Sequence, residues 1–207
     1  MKIKEAYDLW SRQYDSEVNK TRDLENLALR DCVKDLRFEN CLELGCGTGK
    51  NTGLLAQHST QILAIDFSES MLDIARQKVQ NPDVKFLIAD LNSDWDFTTE
   101  KFDFITCSLV LEHIENLERI FRLMAGRLKT NGWLYIGELH PFKQYLGSKA
   151  KFSSDSRQRT VTCFTHHIST FLDAAESAGL KLLNLKEYFD EDNPSIPRIL
   201  SIQFWKP

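Results

Sequence analysis

The chain has 207 residues, 42% of them hydrophobic and 27% charged, and a net charge of −4. Its length gives one domain over 1–207 with room for a sizeable core, and its charge excludes a basic footprint of the kind that follows a nucleic-acid backbone. No apolar run approaches the roughly 18 residues of a membrane span, the start Met1-Lys2-Ile3-Lys4-Glu5 lacks an apolar leader, and the five cysteines form no C-x-x-C pair, so a cytoplasmic protein with reduced thiols and no metal site is expected.

Residues 4–20 carry Tyr7, Trp10 and Tyr14 three or four apart, on one helical face. Residues 22–37 repeat Leu24, Leu27, Ala28, Cys32 and Leu36 at helical spacing. A strand over 41–45 then runs into Glu43-Leu44-Gly45-Cys46-Gly47-Thr48-Gly49, and a helix is predicted over 51–57. Glycine accepts positive backbone dihedrals and has no side chain, so a ligand can lie directly on such a turn. The amides at the start of the following helix are expected to be free to donate. A dinucleotide fingerprint needs G-x-G-x-x-G, and Lys50 stands where its third glycine belongs.

The run Gln61-Ile62-Leu63-Ala64-Ile65-Asp66 reads as a second strand ending in an acid. Asp66 lies about 20 residues past the glycines, where a carboxylate can accept from two ribose hydroxyls. Ser68 caps a helix over 69–79, with the soft side chain of Met71 in its first turn, suited to one face of an adenine. A third strand, 84–90, again ends in an acid, Asp90, and 92–100 reads as loop. The fourth strand, 102–108, continues into Leu109-Val110-Leu111-Glu112-His113-Ile114. Asn116 caps an amphipathic helix with the stripe Leu117, Ile120, Phe121, Met124 and Leu128, which Asn131-Gly132 is expected to stop.

Trp133 to Leu139 is a fifth strand, and Pro141 takes the chain out of the sheet. Residues 140–165 form an insertion, read as a substrate lid, with Thr160 to Phe164 alternating like a small exposed strand. His166-His167 opens a helix over 167–178 that Gly179 closes. Two last alternating stretches, 181–189 and 198–205, are expected to pair antiparallel.

The pattern Glu-x-Gly-x-Gly-x-Gly after a first strand resembles motif I of the class I S-adenosylmethionine-dependent methyltransferases, of the small-molecule, type 11/12-like kind. The resemblance implies a Rossmann-like α/β fold. Its seven-stranded, mostly parallel sheet would have order 3-2-1-4-5-7-6, with helices on both faces. It implies S-adenosyl-L-methionine as cofactor and SN2-type transfer of its methyl group to a small-molecule acceptor, without nucleic-acid or membrane partners, by a monomer or homodimer. Residues carried over as cofactor-binding are Tyr14 over the methionine part, the motif residues Glu43, Gly45, Cys46 and Gly47, and Asp66 with Phe67 at the ribose. Met71, Asp90 and Leu91 would meet the adenine, and Ser108 ends the fourth strand.

A base is needed only if the nucleophile carries a proton. His113 and His140 are the candidates placed nearest the methyl group, ahead of His166 and His167, and Glu112 is read as ordering its loop. Two other readings stay open: a non-catalytic S-adenosylmethionine-binding protein, and an NAD-dependent oxidoreductase, against which Lys50 argues.

Overall fold

The computed structural model describes residues 3–149, 151–154 and 157–207, and the side chains outside 151–159. Two helices, α1 (Ile3–Tyr14) and α2 (Lys20–Val33), precede the first strand, β1 (Phe38–Leu44). Then follow α3 (Lys50–Leu55), β2 (Ser59–Asp66), α4 (Glu69–Lys78), β3 (Val84–Ile88), β4 (Phe102–Ser108), α5 (Leu117–Arg127) and β5 (Leu128–Leu139). The insertion contributes α6 (Pro141–Tyr145) and a hairpin of β6 (Lys151–Ser154) with β7 (Arg157–Thr160). The chain ends with α7 (Ile168–Ser177), β8 (Lys181–Asp190) and β9 (Asn193–Trp205).

The sheet order is β3-β2-β1-β4-β5-β9-β8. The first five strands run parallel, and β9 runs antiparallel to both β5 and β8. This is the expected seven-stranded topology. Both faces are covered, because the strands alternate between two cores rather than between core and water. Leu42, Ile105, Leu134 and Ile136 pack with Phe121 of α5 and Phe171 of α7. Cys41, Phe104 and Tyr135 pack the other way, with Leu29 of α2, Leu55 of α3 and Leu72 of α4.

The register matters more than the order. Leu44 lies beside Ile65 and Cys107, Asp66 beside Ile88, and Ser108 beside Gly137. The carboxyl ends of the parallel strands therefore finish level, which is where such sheets bind ligands.

Three sequence expectations are corrected. Asn131-Gly132 does not terminate α5, which ends at Arg127 and passes directly into β5. Asn131, at φ 63, sits in an irregular start of that strand. The chain end holds it there, since Asn131 N donates to the Lys206 carbonyl and Lys206 N to the Gly132 carbonyl. Second, only Thr160 of the 160–164 stretch is in a strand. Val161 turns inward and is buried with Ala6 and Trp10, because an apolar surface on α1 is there to cover it. Third, β9 starts at Asn193 and takes in Pro194 and Pro197. They are tolerated because pairing with β5 begins only at Ile199.

Candidate active site

The glycine turn leaves β1 at Gly45, whose φ of 71 is left-handed. A side chain there would also meet Val110 Cγ2 at 2.3 Å. Gly47 is left-handed too, at φ 52, yet a Cβ on it would meet nothing within 4 Å, because it faces a cleft. The turn's own amides are used within the protein. Gly45 N and Cys46 N both donate to the Ile65 carbonyl, and Gly47 N donates to Asp66 Oδ2 at 2.9 Å. The loop is thus folded onto the end of β2.

Asp66 holds that junction. Its second oxygen accepts from Ser68 N at 2.9 Å, and Ser68 Oγ accepts in turn from Met71 N, capping α4. Burial pushes the Asp66 carboxyl up to about 6, against the pull of these amides. Each oxygen keeps a further lone pair for a ligand hydroxyl.

One cleft, with about 690 Å³ of open space, collects residues from the ends of four strands. Gly45 and Gly47, Asp66 with Phe67 and Met71, Asp90 with Leu91, and Ser108 all line it, and so do Tyr7, Tyr14 and His113. A second cavity adjoins it at Gly45, Gly47, Tyr14 and Ser108 and contains Glu43 and Cys46. There Glu43 is buried and accepts from Thr52 Oγ1 at 2.5 Å, and burial raises its carboxyl to about 8. So every residue carried over for the cofactor lies on one of two connected cavities.

Sequence reasoning missed several groups. Arg22 and Glu25, from α2, face the second cavity. The Arg22 guanidinium lies 3.9 Å over the Tyr14 ring and donates to the Tyr14 and Glu17 carbonyls. Glu25 is buried, accepting from Asn51 Nδ2 at 2.8 Å and from the Tyr135 hydroxyl at 3.3 Å. Beside it lies the buried Ser108 Oγ, whose interaction with the Glu25 carboxylate opposes the upward push of burial on that acid. Leu109 lines all three of the cavities on this side and holds a left-handed φ of 57. Backbone strain of that kind collects at functional sites. Charged residues at helical spacing look solvated in a sequence, and strain at a leucine leaves no sequence signal.

The two histidines fare differently. His113 Nδ1 lies 2.9 Å from the Thr162 carbonyl, so it carries the hydrogen. In the neutral ring Nε2 then accepts from the Tyr7 hydroxyl at 2.8 Å. Both nitrogens are engaged within the protein, and His113 pins Tyr7 over the cleft. His140 is not brought to the site and lines none of these three cavities. Its Nδ1 caps α6 by accepting from Phe142 N, and its Nε2 lies 2.8 Å from Glu187 Oε1 on β8. Burial lowers its basicity, opposed by Glu187. Its place after β5 suggested the methyl side, but the ring turns toward the outer strand pair.

The insertion, read from the sequence as a lid, meets α1. Val161 packs on α1, and a third cavity is lined both by Tyr7, Trp10 and Tyr14 and by Ser148 and Lys149 of the insertion. Asp15, just past α1, fixes the cover to the body by accepting from Thr48 Oγ1 at 2.7 Å and Lys78 Nζ at 2.8 Å. No group of side chains among the described residues could hold a metal ion, and no helix there is long and apolar enough to cross a membrane.

Comparison with known proteins gives the same answer as the geometry. Residues 42–136 match the family described as methyltransferase domain. The chain is 28% identical over 164 residues to a ubiquinone biosynthesis O-methyltransferase of Coxiella burnetii, covering 72% of this chain and 67% of that protein. Among solved structures it resembles a putative S-adenosylmethionine-dependent methyltransferase from Listeria monocytogenes, with TM-score 0.76, 20% identity and coverage of 90% and 99%. It also resembles the N-methyltransferase NodS of Bradyrhizobium japonicum in complex with S-adenosyl-L-homocysteine, with TM-score 0.74, 18% identity and full coverage of both chains. Residues 42–136 are thus a methyltransferase domain, and the glycine turn, the acids at the ends of β2 and β3 and the sheet order give the chain the fold of these S-adenosylmethionine-dependent methyltransferases.

Proposed function

We propose that the protein transfers the methyl group of S-adenosylmethionine directly to a small-molecule acceptor. The observation that carries the reading is the continuity of the cavities: a cleft beside Asp66 and Asp90 opens at Gly45 and Ser108 into a polar cavity. In that cavity a cation, Arg22, and a buried acid, Glu25, face each other's surroundings as the two ends of an amino acid require. Asp66 would accept from the ribose hydroxyls, Met71 and Leu91 would hold the adenine, and Ser108 and Glu25 would meet the amino group. When bound, the cofactor supplies an activated methyl group on a sulfonium. The protein's part is then alignment and exclusion of water, which Tyr7, Tyr14 and Phe67 provide as a packed aromatic cover.

The names of the relatives give an O-methyltransferase and an N-methyltransferase, so hydroxyl and amine acceptors come first. The test is to incubate the protein with S-adenosylmethionine and such acceptors and to follow S-adenosylhomocysteine by mass spectrometry. Methylated product stoichiometric with S-adenosylhomocysteine is expected. Tight cofactor binding with no turnover of any acceptor would instead favour a binding protein.

A further inference from the structure

The third cavity holds a group that the cofactor reading leaves unused. It shares Tyr7, Tyr14 and Leu109 with the cleft and extends away from it under α1, toward Leu139 and Arg198, with about 780 Å³ of open space. Glu112 lines it. That residue is only 8% exposed, and no group among the described residues donates a hydrogen bond to its Oε2. A buried carboxylate oxygen without a donor is costly, and proteins rarely leave one so unless a ligand fills the place.

The neighbours do not fill it. The Tyr7 hydroxyl is given to His113. Arg198 places Nε and Nη2 on Asp190 and Nη1 on Thr21 Oγ1. Arg22 points its donors at backbone carbonyls. His113 Nε2 stands 3.9 Å from Oε1, beyond a hydrogen bond. Meanwhile the peptide that carries Glu112 is fixed. Val110 N and Leu111 N donate to Glu138 Oε1 at 2.9 and 2.7 Å, and Phe164 N donates to the Glu112 carbonyl at 2.7 Å. The side chain is therefore held on a rigid turn at the wall between cofactor cleft and chamber.

We infer that Glu112 is the catalytic base of the reaction, and that the chamber seats an acceptor whose nucleophile carries a proton, a phenol or an amine. The inference rests on the methyl-transfer reading above. In the step, the acceptor's O–H or N–H gives its proton to the Glu112 carboxylate. Its lone pair bonds to the methyl carbon as the carbon–sulfur bond breaks, with that electron pair going to sulfur. The proton later leaves to water. The aromatic wall of Tyr7, Trp10 and Tyr14 suits a flat acceptor body. Neither histidine candidate competes. His113 would have to release Tyr7, and His140 does not reach the chamber.

The experiment compares wild type with Glu112→Gln, which keeps the shape and removes the base. Catechol, 4-hydroxybenzoate and tyramine serve as protic probes, and 4-nitrothiophenol, already ionised at neutral pH, as a probe that needs no base. S-adenosylmethionine affinity should stay within about twofold, since Glu112 lies outside the cofactor cavities. For any protic probe the wild type methylates, kcat should fall about a hundredfold or more with KM changed little, as for loss of a general base. The thiolate rate should be nearly unchanged. The ionisable groups that interact with Glu112 are Tyr7, His113 and Glu138, and Tyr14, Arg22, Arg198 and Lys149 line the same chamber; all remain in the variant. A variant that methylates a protic probe at the parental rate overturns the inference. So does a folded variant that loses S-adenosylmethionine, or a wild type saturated with S-adenosylhomocysteine that binds none of the protic probes by calorimetry. Each of these leaves the methyl-transfer reading standing. A wild type that does not bind S-adenosylmethionine overturns both.

Discussion

Asp66 does two jobs with one carboxylate. It ties the glycine turn to β2 through Gly47 N and caps the approach to α4 through Ser68 N, and it is left with lone pairs for the ribose. Asp66→Ala is therefore expected to weaken S-adenosylmethionine binding by about 1–3 kcal/mol, or about fivefold to 150-fold, as measured by calorimetry. Unchanged affinity in a folded variant would remove it from the site. Because burial raises this carboxyl to about 6, affinity should also depend on pH. The ligand's hydroxyls need the ionised acceptor. Binding should thus weaken about tenfold for each pH unit below 6 and level off above it, and Asp66→Asn should abolish that slope. Asp66 was legible because it is an acid that ends an apolar run at a set distance from glycines. Glu112 was not, because one acid in a loop after a strand reads the same whether it is solvated or sealed. Its significance comes from what fails to reach Oε2, and no sequence shows that.

At the scale of elements, the parallel strands, the glycine turn and the caps Ser68 and Asn116 follow from local pattern, and all stand in the structure. The errors fall where distant chain decides. Residues 128–132 join β5 because Lys206 bonds to them from the far end of the chain. Val161 leaves its strand because α1 offers it Ala6 and Trp10. The glycine turn gives a sharp test. Gly47→Val places its side chain where no protein atom lies within 4 Å, so it fills the cleft rather than breaking the core, at the cost of a strained positive φ. Cofactor binding should be lost while circular dichroism and cooperative melting remain. Binding at parental affinity would show that the turn is not the cradle. The cover gives another. Val161→Asp puts a charge into the 3%-exposed contact with α1 and should part the insertion from α1. Faster proteolysis near 140–165 and a large loss of turnover are expected, with the main melting transition moved little. If instead the whole protein unfolds earlier by tens of degrees, cover and body form one cooperative unit.

Across the whole molecule, acids gather at the carboxyl edge of the sheet. Glu25, Glu43, Asp66 and Glu138 are all buried there, and burial lifts every one of their carboxyls. Glu43 and Glu138 rise to about 8 from an ordinary value of 4.5, with Glu112 adding to the rise at Glu138. Between those values the folded protein keeps protons that the unfolded chain has released. The sign follows: this contribution to stability is fully present below about pH 4.5, is lost as pH rises toward 8, and is constant beyond. Elsewhere Asp15, Asp31 and Asp190 are held low, Asp31 and Asp190 by hydrogen bonds from Lys186 and Arg198, and Asp15 by Lys78 and Thr48 against its own burial. Their contribution runs the other way and is lost only as pH falls below the ordinary carboxylate range. The two trends oppose each other, the first weakening the fold as pH rises toward 8 and the second only below the carboxylate range. Glu138→Gln is the decisive variant. It retains an oxygen for Val110 N and Leu111 N but has nothing to ionise. Wild type should lose several degrees of melting temperature between pH 5.5 and 8.5, on the scale of about 2–4 °C per kcal/mol for a chain of this size, and the variant should lose clearly less. Identical pH curves for the two proteins would show that Glu138 is already ionised in the fold, and that the edge tolerates its charge by a route other than protonation.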